Sequence, residues 1–232
     1  METIPTTTIS ARECLTYGWE AFKKRPLVYI AVILIIEVLW LASEYAPVDT
    51  TIAGDVAFML LSLVSAVVYM IVMTYFMLRA HDIPESIEVS DLLRVHNFLK
   101  LIGANILSGL VIFLGLLLLI VPGLIAAAAL AFCGYLAIDK GLRPVAAFKE
   151  SARLTKGNRM AIFYIFLTAV VGTAIPSILY FWNETAGHLG TILADIIFLP
   201  VTGIGMVHAY RLLENKMAVP EVIETTEPVQ TA

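Results

Sequence analysis

The chain has 232 residues, 59% of them hydrophobic and 15% charged, with a formal net charge of −4 and a mean hydropathy of +0.88. A soluble domain carries about 25% charged and about 45–50% apolar residues. The composition excludes an ordinary soluble enzyme, a disordered regulator and a nucleic-acid binder, and leaves an integral membrane protein.

The N-terminus, Met1-Glu2-Thr3, has no basic stretch, and the first long apolar run begins near Leu27. It does not read as a cleaved signal peptide, so the first span is expected to direct insertion. Ahead of it, the spacing predicts an amphipathic helix from Ser10 to Lys24. Ser10 and Glu13 form a capping box, Ile9 and Cys14 a staple, and Ala11, Leu15, Gly18 and Phe22 share one face.

Apolar runs follow at Leu27–Trp40, Val56–Leu78, Leu101–Ile138, Met160–Trp182 and Leu189–Tyr210. The third run has 38 residues without a charge. As one helix it would be about 57 Å long, far beyond the ~30 Å hydrocarbon core. Pro122 and Gly123 near its middle mark a tight hairpin of two helices. Six spans result, at 27–45, 56–78, 101–121, 123–138, 160–182 and 189–210.

Two more short helices are expected, ahead of spans 3 and 5. One runs over Asp91–Leu99 with Ser90 as its N-cap. The other covers Pro144–Lys156, with Pro144 at its first position and Gly157 just past its end. In the latter, Val145, Phe148 and Ala152 share one stripe, and Lys149, Arg153 and Lys156 another. The expected fold class is an all-α polytopic membrane protein. Its six transmembrane helices form three hairpins, each preceded by a short interfacial amphipathic helix. Residues 1–216 form a single six-span domain, and 217–232, with Glu221, Glu224, Glu227 and no Lys or Arg, an acidic disordered tail.

Charge placement fits six spans. All 15 Lys and Arg residues lie before span 1, between spans 2 and 3, between spans 4 and 5, or after span 6. The positive-inside rule then puts both termini in the cytoplasm, in a bacterial inner membrane. The other loops carry only acids: Glu44, Asp49, Asp55 and Glu184. Trp40, Tyr45, Tyr180 and Trp182 mark the outer interface, and Trp19, Tyr135 and Tyr210 the inner one. Cys14 and Cys133 both fall near the cytoplasmic side, so no disulfide is expected.

Three residues stand out as intramembrane polar candidates. Glu37 lies roughly 15 Å into span 1, where a charge costs about 2.5–3.5 kcal/mol on insertion scales. It reads as a proton-relay or substrate-contact acid, or as a hydrogen bond bridging helices. Asp195 in span 6 is followed by Pro200, Gly203 and Gly205, and with Glu37 would make a paired-acid site for a cation or proton. A water-filled vestibule solvating Asp195 is the plainer reading. Asn105 in span 3 reads as interhelical glue. Pro122, Gly123, Pro176 and Pro200 are hinge candidates, against a purely structural role.

Arg143, Lys149, Arg153, Lys156 and Arg159 are candidates for contact with anionic phospholipid headgroups, at about 1 kcal/mol per cation. His81, His96, His188 and His208 show no metal-ligand spacing, and no nucleophile, phosphate loop or catalytic triad pattern appears, so neither metal, cofactor nor catalytic residue is assigned. Asp139-Lys140-Gly141 reads as a helix exit and turn.

Two stretches carry a family resemblance. One runs from Val121-Pro122-Gly123-Leu124 to Phe132 and on through Ala137 to Asn158, with Asp139-Lys140-Gly141 and a Ser151 to Asn158 helix end. The other is Ala11 to Tyr29, centred on Gly18-Trp19-Glu20-Ala21-Phe22-Lys23-Lys24-Arg25-Pro26. Both resemble six-helix bacterial inner-membrane proteins of unknown function. They are also similar to the membrane domain fused to some glycerophosphodiester phosphodiesterases. The resemblance covers about a third of the chain and lacks the phosphodiesterase domain itself. It implies fold and location, and no catalysis.

The expected function is a non-enzymatic membrane module that binds lipid or scaffolds partners. The alternative is a small secondary transporter or channel using Glu37 and Asp195. Expected partners are membrane phospholipids and a membrane protein partner or second copy, and no nucleic acid.

Overall fold

A computed structural model describes residues 8–44 and 52–224. Tyr45 and Asp49, assigned to the first outer loop, and residues 1–7 and 225–232 lie outside the described residues. Within them, six helical segments are long and apolar enough to cross a membrane: Pro26–Glu44, Gly54–Asp82, Phe98–Leu118, Ile120–Asp139, Arg159–Phe181 and Glu184–Met217. The chain is an all-α polytopic membrane protein.

Helix α1 (Ala11–Lys24) begins directly after Ser10, whose Oγ accepts the Glu13 N–H at 3.5 Å, one of the two bonds of the expected capping box. Arg25 interrupts it, and α2 (Pro26–Glu44) starts on a proline, whose missing N–H has no role in a first turn. Span 2 is composite. Helix α3 (Ile52–Ile71) passes into a π-helical turn, Val72–Phe76, and then α4 (Met77–Asp82).

The connection to span 3 differs from the expected helix at Asp91–Leu99. Residues Val89–Leu93 form a 3-10 turn, with Glu88 and Asp91 as a reciprocal cap in which the Asp91 carboxylate accepts the Glu88 N–H at 3.0 Å. Ser90 is not the cap; its hydroxyl donates to the Glu88 carboxylate at 3.2 Å. Asn97 then takes a left-handed conformation at φ 54°, which breaks any continuation into the span. Helix α5 (Phe98–Leu118) follows.

The long apolar run is broken into two helices, as expected, but at Leu119 and not at Pro122-Gly123. Leu119 alone is extended (φ −164°, ψ 148°), and α6 (Ile120–Leu130) begins directly after it. Pro122 sits in the first turn of α6, where its missing N–H costs nothing. Gly123 serves the close approach: a Cβ on Gly115 would lie 3.0 Å from the Gly123 Cα. The two glycines let the helices meet backbone to backbone, the kind of contact that holds helices together in lipid.

Span 4 breaks at Ala131–Phe132 and resumes as α7 (Cys133–Asp139). Helix α8 (Pro144–Leu154) has proline at its first position, as expected. Span 5 is α9 (Arg159–Ala174) followed by a 3-10 segment, Pro176–Phe181. Helix α10 (Glu184–Glu224) has 41 residues, so it is about 61 Å long and extends beyond a bilayer core. The expected tail from residue 217 is therefore helical as far as Glu224. The helix-forming run Leu212, Leu213, Glu214, Lys216 and Met217 ends the membrane-length segment, and α10 continues from it without a break.

The described residues fall into two compact units. Unit 1 holds 8–14, 97–165 and 206–224, and unit 2 holds 15–44, 52–96 and 166–205. Unit 1 is built around Leu101, Phe132, Leu136, Ala147, Ile162 and Tyr210, all fully or almost fully buried. In unit 2, Tyr29, Val32, Ile33, Phe76 and Met77 are buried, and α1 meets α10 at Gly18. There a Cβ would overlap the Val201 carbonyl oxygen.

Candidate functional site

In unit 2, three spans place polar side chains together in an apolar setting. Glu37 comes from α2, twelfth of that helix's 19 residues. Asp195 comes from α10, and its carboxyl interacts directly with that of Glu37. Tyr69 of α3 lies in the field of both acids. One turn before Tyr69, the Ser65 hydroxyl donates to the Leu39 carbonyl at 3.0 Å and fixes the face that α3 presents to α2.

Neither acid has a cationic partner among the described residues. Both are half-buried, and the Asp195 Oδ1 atom is buried without a hydrogen-bond partner. Like charges side by side in a low dielectric repel strongly, so such a pair calls for a positive charge between its oxygens. The π-helical turn of span 2 begins three residues after Tyr69. Insertions of this kind are frequent at functional positions.

The remaining polar candidates lie elsewhere. Asn105 belongs to unit 1, and its amide donates to the Leu101 carbonyl of its own helix at 3.0 Å, so it bridges no helices by that bond. Pro176 ends α9 and starts the 3-10 segment. With Leu179, Leu193 and Phe198 it lines an open apolar groove of about 580 Å³. Pro200 lies within the unbroken α10.

Unit 1 holds its charges differently. The Asp139 carboxylate accepts the Tyr210 hydroxyl at 2.9 Å and two Arg211 nitrogens at 2.7 and 3.1 Å. Arg211 also reaches Glu214 at 3.0 Å, and Glu214 pairs with Lys140 at 2.9 Å. Asn97 and Lys100 close the same end, donating to the Ile138 carbonyl at 3.3 Å and the Gly141 carbonyl at 2.8 Å. A helix exit and turn is thus also the centre of an ion-pair network. The sequence carried one signal for it: Asp139 and Arg211 are charged residues closing apolar spans.

Helix α8 is oriented by hydroxyls. Where span 4 breaks, the Ala129 carbonyl accepts both Ser151 Oγ (2.9 Å) and Thr155 Oγ1 (3.2 Å). Ser151 Oγ also accepts the Phe132 N–H at 3.2 Å. The side chains replace backbone bonds that the break leaves open. The buried stripe of α8 is Ala147, Ser151 and Leu154, and Val145, of the expected apolar stripe, is exposed. Apolar periodicity misses this face because two of its anchors, Ser151 and Thr155, are polar.

On the other side of α8, Arg143, Lys149, Arg153 and Lys156 are exposed, and Arg159 at the start of α9 is half-buried. Arg153 grips Glu150 with two nitrogens, at 2.7 and 3.0 Å. That bidentate bond holds the Glu150 carboxyl below the usual range, so the pair is internally neutral near pH 7. Among the described residues, no group of three or more His, Cys, Asp or Glu side chains is placed to hold a metal ion.

A family model described as a domain of unknown function, DUF7847, matches residues 90–210. The match spans just over half of the chain, and the chain belongs to that family. It includes α8 and Asp195 and leaves out Glu37. No curated protein and no solved structure matches the chain, so the likeness to the phosphodiesterase-fused membrane domain gains no support.

Proposed function

We propose that the chain is a non-enzymatic multi-pass membrane module that binds a proton or a small cation between Glu37 and Asp195. One observation carries this reading: carboxyls from α2 and α10 meet inside apolar spans with no cation among the described residues beside them. Acids kept within a membrane are costly, and they commonly mark ion or proton paths. Of the two readings open from the sequence, this pairing favours the transporter or channel. Tyr69 supplies a third polar group at the same place.

The test is flux. In proteoliposomes carrying a pH-sensitive dye, an imposed proton, sodium or potassium gradient should be dissipated by the wild-type chain. Glu37→Gln and Asp195→Asn should each lower that flux about tenfold or more, while helix content stays unchanged. Equal flux in wild type and both variants would sink the proposal.

The charge distribution supports a companion reading of topology. In it, the six spans form three outward hairpins in a bacterial inner membrane, both termini are cytoplasmic, and α1 and α8 lie at the inner interface. Single cysteines placed at Glu184 and at Lys216 in a cysteine-free background test it. An impermeant thiol reagent added to intact cells should label the first and spare the second.

A further inference from the structure

We propose that the outward face of α8 is a docking surface for anionic phospholipid headgroups. The inference is independent of the Glu37–Asp195 reading, since it concerns other residues in the other unit.

The orientation of α8 is fixed. Ala147, Ser151 and Leu154 are buried, and the Ser151 and Thr155 hydroxyls bond the Ala129 carbonyl, so the helix cannot roll. Lys149 lies two positions after Ala147 in α8, and Lys156, in the turn that follows the helix, is exposed. Two positions along a helix turn by about 200°, which aims Lys149 away from the buried stripe. Arg143 stands at the N-terminal end of α8, where Pro144 packs on α5 at Gly103 and Lys100 bonds the Gly141 carbonyl at 2.8 Å.

The charge on this face is uncompensated. Arg153 is cancelled by Glu150. Arg143, Lys149, Lys156 and Arg159 have no acidic partner among the described residues. The basic end of α1 makes the contrast: Lys23 pairs with Glu20 at 2.7 Å, and Lys24 with Glu85 at 3.1 Å. A face with several free cations fits an anionic partner.

The neighbouring side chains choose the partner. Leu99, Val145 and Met160 are 82%, 58% and 64% exposed. Each is the second residue of its helix: Leu99 of α5, Val145 of α8, two residues after Arg143, and Met160 of α9, next to Arg159. Free cations and bare apolar side chains at the ends of spans match the layer where headgroups meet acyl chains. An acidic protein surface would leave those apolar groups in water.

The experiment uses the full chain in neutral detergent, titrated with phosphatidylglycerol and separately with phosphatidylcholine, and read by native mass spectrometry. The variant is Arg143→Gln/Lys149→Gln/Lys156→Gln. The control, Arg12→Gln/Lys23→Gln/Lys24→Gln, removes the same charge from α1. Wild type should prefer phosphatidylglycerol, and the α8 variant should lose about 100-fold in its affinity, against about threefold in the control. Should the triple variant misfold, Lys149→Gln alone should weaken binding about fivefold and flatten its salt dependence. Equal losses in variant and control, or equal binding of phosphatidylcholine, would overturn the proposal.

Discussion

Two sites, one in each unit, treat charge in opposite ways. Unit 1 answers its charges at Asp139: that carboxylate, Arg211, Glu214 and Lys140 form a closed chain of ion pairs, with the Tyr210 hydroxyl donating into it. Unit 2 brings Glu37 and Asp195 together inside apolar helices and sets no described cation beside them. An arrangement whose charges are all answered holds structure. One that brings two carboxyls into a shared hydrogen bond with no cation of the chain beside them has a place for a proton or another positive charge from outside the chain. Removing one charge should therefore act in opposite directions at the two sites.

That contrast is broken most directly by removing one member from each side. Arg211→Ala leaves the Asp139 carboxylate with the Tyr210 hydroxyl alone and Glu214 with Lys140 alone, and should destabilise the protein by about 2–3 kcal/mol, a value held down by their partial exposure. Glu37→Gln takes away a repulsion, so its unfolding temperature in detergent should equal or exceed that of wild type. A Glu37→Gln variant as unstable as Arg211→Ala would make the acid pair a structural bond, and the contrast would fail.

Packing sharpens the comparison at a smaller scale. In unit 2, Gly18→Ala drives a methyl into the Val201 carbonyl where α1 meets α10. Such overpacking costs about 1–3 kcal/mol, and thermal unfolding in detergent would read it. In unit 1, Ser151→Ala strips a hydroxyl from the Ala129 carbonyl and Phe132 N–H at the break in span 4. A cost of about 1–2 kcal/mol is expected, since Thr155 still reaches Ala129. Hydrogen exchange at Phe132 should rise with it.

These sites also mark where the sequence was and was not legible. The spans were readable because apolar runs and alternating loop charges are long-range signals that no single contact overrides. The break in the long apolar run was readable as well, though it lies at Leu119. A proline is tolerated in a helix's first turn, so Pro122 marked the neighbourhood and not the corner. The 3-10 turn at Val89–Leu93 replaced an expected helix because the Asp91 side chain bonds the chain locally and Asn97 turns left-handed. Glu37 and Asp195 were each legible as misplaced acids, but 157 positions separate them, and periodicity cannot report their meeting. Ser151 and Thr155 stayed hidden because their partner is a backbone carbonyl exposed by a break that no proline or glycine announces.

The smallest expected effect concerns Cys14, which sits beside the α1 cap in unit 1. Its side chain is fully buried, and burial, reinforced by the charge of Glu13, pushes the thiol up to about 11. At neutral pH it is therefore protonated, and the thiolate that attacks alkylating reagents forms only as pH approaches that value. In detergent at pH 7, iodoacetamide should leave Cys14 unmodified for hours, with no change in stability, and should modify it promptly once denaturant opens the fold. The Gly18→Ala variant refines the test. If the methyl at Gly18 frees α1 as a whole, Cys14 becomes reactive without denaturant. If it strains only the contact with Val201, Cys14 stays protected, and the first turn of α1, where Ile9 and Cys14 are both buried, holds on its own.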